Sequence, residues 1–300
     1  MHDYYENSEW KLILDRLSAI REQEDFSSAN VEFIRSHLQS HDERVRGGAA
    51  LAAEGCLFEP YILDLVLDIA ENDENEAIRK AAIQSLGQVI YEGVLQDFED
   101  DEGATTDLEF YEEWDELQAG TLKEEYLRSK NLLFSILQNE FDDRSVREAA
   151  LNAVSDLGFL PDVEEWIEDF MESEYQSSKL VAIHAMGKYP QSWEEELATS
   201  LLPGTPKPLL MEAISSSYSS QSAKLAKCIE QLLNTDDPDI LSYALLTLAN
   251  INLTEGLGEI LQSFSLHADE KVRKAARDAL ENFSKQSFSD YLQDELGFEE

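Results

Sequence analysis

The segment Asp142–Gly158, "DDRSVREAALNAVSDLG", returns in outline from Asp269 as "DEKVRKAARDALENF". In both, an acidic turn precedes an aliphatic residue, a basic residue follows directly, and small residues come three and four positions later. Carried along the chain, this register places anchors at Val45, Ile78, Val146, Ser178, Leu209, Ile240 and Val272, at intervals of 33, 68, 32, 31, 31 and 32 residues. Self-similarity at such a period marks a solenoid, in which each unit buries its apolar face only against its neighbours. The interval of 68 reads as one unit plus an insertion.

Four positions after each anchor stands an alanine: Ala49, Ala82, Ala150, Ala182, Ala213, Ala244 and Ala276. Residues four apart share a helical face, and a bulky side chain there would hold neighbouring helices apart. Before each anchor lies a second amphipathic segment, from "ANVEFIRSHLQ" in the first unit to "GLGEILQSF" in the last, which reads as an outer helix paired with the motif helix. Prolines and Asx residues punctuate the joins, as in "TDDPD" at 235–239. The expected fold is all-α.

The stretches "HDERVRGGAALAAEG", "NEAIRKAAIQSLG", "DRSVREAALNAV" and "DEKVRKAARDAL" resemble HEAT repeats, in particular the short variety first noted in phycobilisome lyases. The resemblance covers about residues 27–283. It implies a right-handed α-solenoid of about seven two-helix repeats, with the second helices lining a concave face. It also implies a ladder between repeats, made by an acidic residue in the turn and an arginine in the second helix. Asp42 with Arg46, Asp143 with Arg147 and Asp269 with Arg273 match at i, i+4, a spacing suited to pairing. The pattern lapses in the middle, where the basic position holds Lys179, then Leu210 and Leu241. The expected organisation is one domain: an N-terminal cap over 1–26, repeats 1–2 over 27–96, an acidic insertion over 97–121, repeats 3–7 over 122–283 and a C-terminal cap over 284–300.

Composition narrows the partners. The 300 residues carry 23 basic and 63 acidic side chains, a net charge of −40 that repels phosphate backbones and anionic lipid headgroups. Nucleic acid and membrane are therefore not expected as partners. No apolar run approaches the roughly 20 residues of a membrane span, since "YILDLVLDIA" is broken by Asp64 and Asp68. The start "MHDYYENSEW" has no basic or apolar region of a secretory signal, which points to a cytoplasmic protein. Cys56 and Cys228 stand far apart in apolar contexts and read as buried free thiols.

Catalytic signatures are absent from the sequence. The five histidines form no HExxH and no His–Glu pair of the kind used by iron-binding HEAT enzymes, and no phosphate-binding glycine loop or nucleophile elbow occurs. No catalytic residue, metal or cofactor is expected. The remaining function is adhesive, in two places. Positions two and six after each anchor should face the groove. Three consecutive units put Leu180 and His184, Met211 and Ser215, and Ser242 and Leu246 there, an apolar and neutral strip in a highly charged protein. The insertion adds eleven acidic residues over 97–116, with Phe110, Tyr111 and Trp114 at helical spacing, a combination suited to a basic protein surface. The sequence thus reads as a non-enzymatic scaffold or adaptor for a basic protein partner. Two alternatives stay open: a chromophore-lyase-like or lyase-chaperone protein, and an immunity or inhibitor protein that masks a cationic toxin or nuclease.

Overall fold

The computed structural model describes residues 3–96, 98 and 115–296, with side chains described for 10–59, 61–96, 98 and 123–285. Among them are fifteen α-helices, three short 3-10 segments and no strand. The helices are α1 (Asp3–Gln23), α2 (Ser28–Leu38), α3 (Glu43–Ala52), α4 (Pro60–Asn72), α5 (Glu76–Leu95), α6 (Asp115–Gln138), α7 (Arg144–Ala153) and α8 (Pro161–Glu172). They continue with α9 (Gln176–Met186), α10 (Glu194–Ser200), α11 (Lys207–Ser216), α12 (Ala223–Gln231), α13 (Pro238–Ile251), α14 (Leu257–Phe264) and α15 (Glu270–Leu296). The chain divides into two compact units, 1–166 and 167–300.

In the first unit α1, α3, α5 and α7 pack in succession, with α2, α4 and α6 laid outside them. In the second unit α9, α11, α13 and α15 form the same kind of row, backed by α10, α12 and α14. The motif helices are the inner row in both. Every anchor from Val45 to Val272 is buried, and all seven alanines four positions later have no exposed surface. The close approach these alanines allow is visible at Gly187, just past α9, where an added Cβ would lie 2.8 Å from the Ser216 Cα of α11.

The turns before the motif helices start them by capping. The side chains of Asp42, Asn75 and Asp237 accept hydrogen bonds from the backbone N–H groups of Arg44, Ala77 and Asp239, satisfying donors that the first helical turn leaves unpaired. Asp269 does the same for Lys271 and Val272. Each such cap contributes about 1 kcal/mol.

The arginine ladder forms, but with different partners from those the i, i+4 spacing suggested. Arg46 passes over Asp42 and reaches forward to Asp73, its Nε 2.6 Å from Oδ2, while its Nη1 donates to the Ser40 carbonyl at 2.7 Å. Asp42 is occupied by its cap and by Arg44, which holds the carboxyl down at about 2. Arg79 repeats the arrangement: Nη1 and Nη2 each lie 2.7 Å from an Asp142 oxygen, and Nε donates to the Ala70 carbonyl. Arg147 and Arg273 donate to the carbonyls of Leu137 and of His267 and Ala268. Arg79 and Arg147 thus satisfy carbonyls in the last turn of their own outer helices, where the ladder of helical hydrogen bonds runs out, whereas Arg46 and Arg273 satisfy carbonyls of the turn that follows the outer helix. Arg46 and Arg79 in addition clamp the turn of the following pair.

Where the sequence replaces this arginine by Leu210 and Leu241, both leucines are buried. The position has become core. Cys56 is also buried, and burial pushes its thiol up to about 12, whereas Cys228 is only half-buried, so one of the two expected buried thiols is partly open to solvent.

The pair Arg79–Asp142 is largely buried on both sides. The Arg79 guanidinium holds the Asp142 carboxyl below the usual carboxylate range, outweighing the upward push of burial. A carboxyl depressed in the folded state stabilises above its unfolded pKa, and that contribution is lost as pH falls through the folded value. Asp142→Asn should therefore destabilise the protein by roughly 3 kcal/mol at neutral pH. Urea denaturation at a series of pH values should show the gap to wild type closing as pH falls below about 5 and through the depressed folded-state value of Asp142. A gap that persists unchanged in acid would mean that the pair is not what holds this junction.

Candidate protein-interaction face

The strip read from the sequence lies on the motif helices of the second unit. Leu180 and His184 sit one turn apart on α9, the former half-buried and the latter exposed; Met211 and Ser215 repeat this on α11. On α13 the register differs. Ser242 is only 3% exposed, and its hydroxyl donates to the Pro238 carbonyl at 2.6 Å, so it is no part of the surface. Its neighbour Tyr243, 43% exposed, takes the outward position, with half-buried Leu246 beside it. α13 packs between α11 and α15, and Ser242 lies on its buried side. Small Ser242 fits the packed side, where a tyrosine would not.

Asp239, Tyr243, Leu246 and Asn250 follow at spacings of four, three and four, which puts them on one face of α13. Polar bridges join neighbouring helices of the row from α9 to α15 at three levels. At the N-terminal ends Lys207 of α11 meets Asp237 at 2.8 Å and Asp239 at 2.7 Å, and Lys271 of α15 meets the other oxygen of Asp239. In the middle His184 Nδ1 lies 3.1 Å from the Glu212 carboxylate, joining α9 to α11. Near the C-terminal ends the Asn250 amide donates to the Tyr218 carbonyl at 2.7 Å. The strip is braced rather than loose.

The lysine–aspartate chain was not read from the sequence. Lys207 lies two residues before its anchor Leu209, whereas Asp239 and Lys271 lie one before theirs, so the three do not align in the repeat register. Their charges alternate across three helices, and that alternation at intervals of 32 was the available signal. The Lys207 and Lys271 hydrogen bonds hold the Asp239 carboxyl down at about 2.

Phe110, Tyr111 and Trp114 lie outside the described residues. At the near edge of the insertion Phe98 is described, and its ring packs 5.7 Å from that of buried Tyr126 on α6. Among the described residues no group of three or more His, Cys, Asp or Glu side chains could hold a metal ion. No helix among them is long and apolar enough to cross a membrane.

No protein-family model and no curated protein matches the chain. Solved structures do. Yeast importin-β (Kap95p) matches with 13% identity and a TM-score of 0.52 over 96% of this chain and 41% of that one. The same karyopherin in the Kap95:Nup1 complex matches with 14% identity at a TM-score of 0.52 and the same coverage. YibA of E. coli matches with 13% identity and a TM-score of 0.48, over 88% of this chain and 85% of that one. The importin-β matches show that the chain has an all-helical solenoid fold of the HEAT and armadillo kind. It spans about two-fifths of the importin-β length.

Exposed ion pairs are weakened by salt, because the Debye length shrinks from about 10 Å at 0.1 M to about 3 Å at 1 M. Asp239→Asn should lower the thermal midpoint in dilute buffer, and the loss should fade as sodium chloride is raised to about 1 M. A loss that is indifferent to salt would show that Asp239 acts through the helix start rather than through the two lysines.

Proposed function

We propose that the chain is a non-enzymatic scaffold that binds a basic protein, with the exposed face of α9, α11 and α13 as the main contact. The observation that carries this reading is the run Leu180, Met211, Tyr243 and Leu246: apolar and aromatic side chains at least partly open to solvent, on braced helices, in a chain of net charge −40. A half-open apolar strip ringed by charge is the anatomy of an interface, with a core that excludes water and a rim that selects the partner's charge. The surrounding acidity would speed encounter with a cationic partner and reject anionic ones. The solenoid fold supports the reading, since stacked helices offer an extended surface rather than an enclosed reaction site. The acidic segment 97–121, with Phe110, Tyr111 and Trp114, is proposed as a second contact of the same interaction.

The test uses affinity capture from the source organism, comparing wild type with the pair Leu180→Glu and Met211→Glu and with a control on the outer row, Lys227→Glu. Lys227 is exposed on α12. The double variant should keep its thermal midpoint within a few degrees and lose the captured partner, while the control keeps it. Capture should also weaken as salt is raised from about 0.05 to 0.5 M. If the folded double variant captures the same protein equally well, the face is not the interface.

A further inference from the structure

A second surface lies on the first unit, where the α1–α2 and α3–α4 connections meet the later turns of α5. Phe26, in the turn after α1, and Phe58, in the turn before α4, line one open groove of about 550 Å³ together with Glu24, Glu54, Glu92 and Arg21. The Phe26 ring lies directly on the chain: a Cβ added to Gly55 would be 2.1 Å from it, so only glycine admits the ring at this depth. Phe58 is 38% exposed, and Tyr61, 75% exposed, lines a second cavity that shares Phe26 with this groove. Glu24 takes a left-handed backbone at φ 53°, a conformation costly for a residue with a side chain.

The polar side of the groove is unbalanced. Arg21 is its one cation, and it is already held by Glu54 at 2.8 Å. Glu92 accepts a neutral amide hydrogen bond from Gln88 at 2.9 Å. Aromatic faces beside surplus carboxylates attract a cation strongly, because the ring quadrupole and the carboxylates act together. A planar guanidinium suits both, since it stacks on a ring and donates in a fork to a carboxylate. The first unit already stacks its own arginines on rings: the Arg16 guanidinium lies 3.8 Å from the Phe33 ring centre, and that of Arg44, which also donates in a fork to Asp42, lies 4.1 Å from the Trp10 ring.

We propose that this groove is a docking site for an arginine side chain of a partner polypeptide, with apolar residues flanking that arginine covering Phe58 and Tyr61. A polypeptide is favoured over a free polyamine because the exposed rings run on past the carboxylates, where a bare cation would leave them in water. The site is independent of the face on the second unit, so either can fail alone.

The experiment is a titration of the isotope-labelled full chain, followed by amide chemical shifts, with the probe peptide acetyl-Leu-Arg-Leu-Arg-Leu-amide. The controls are the same peptide with citrulline for arginine, which keeps shape and removes charge, and spermine. Saturable shifts centred on Gly55, Phe58, Gln88 and Glu92 are expected. Affinity should fall at least tenfold with the citrulline peptide, in Phe58→Ala and in Glu24→Gln with Glu92→Gln, and should be unchanged in Met211→Glu. Shifts scattered over the acidic surface, an affinity for spermine equal to that for the peptide, or full binding by folded Phe58→Ala would each overturn the proposal. So would no binding at millimolar peptide. A thermal melt of each variant confirms that it is folded; should Phe58→Ala melt early, Tyr61→Ala serves in its place, with a loss of affinity again expected.

Discussion

Everything in this molecule depends on how closely the motif helices approach one another. Seven alanines, each four residues after an anchor, have no exposed surface, and the helices they belong to form the inner row of each unit. Close packing sets a narrow window: one methyl fills the gap, and a larger group would force the helices apart. The outer helices, the capped turns and the arginine clamps are arranged around that separation. Arg46 and Arg79 reach the next pair's aspartate only because the pairs are stacked this near.

Much of this was legible in the sequence because repetition averages out local ambiguity. Any one copy of the motif is an ordinary amphipathic helix, but anchors and alanines recurring at about 32 residues leave a single register, and burial follows it throughout. The ladder's partners were not legible. Asp42 and Asp73 are equally acidic in the sequence, and the choice between them depends on Asp42 being taken by Arg44 and the helix start. The strip was legible only in part for a related reason. Positions two and six after an anchor are at least partly open on α9 and α11, but on α13 position two is the buried Ser242, and Tyr243 one residue on is exposed instead.

The groove on the first unit was not read from the sequence, although its two aromatics stand one repeat interval apart. Phe26 and Phe58 belong to different connections, thirty-two residues apart, and each alone is an unremarkable loop aromatic. They line one groove because loops on the same edge of successive pairs come together. A repeat pattern describes what is common to the units, whereas recognition is written in what differs between them. The loops are free to vary in a way that the alanine row is not.

Cys56 supplies the protein with its own clock. A thiol reacts as the thiolate, and burial pushes this one to about 12, so in the closed structure it is both covered and protonated. It sits in the connection between α3 and α4, under the first pairs of the inner row. Reaction with an alkylating reagent must wait for that connection to open, and the labelling rate then measures the opening equilibrium of the first unit without any added probe. Half-buried Cys228 in the second unit serves as the internal reference for reagent and solvent.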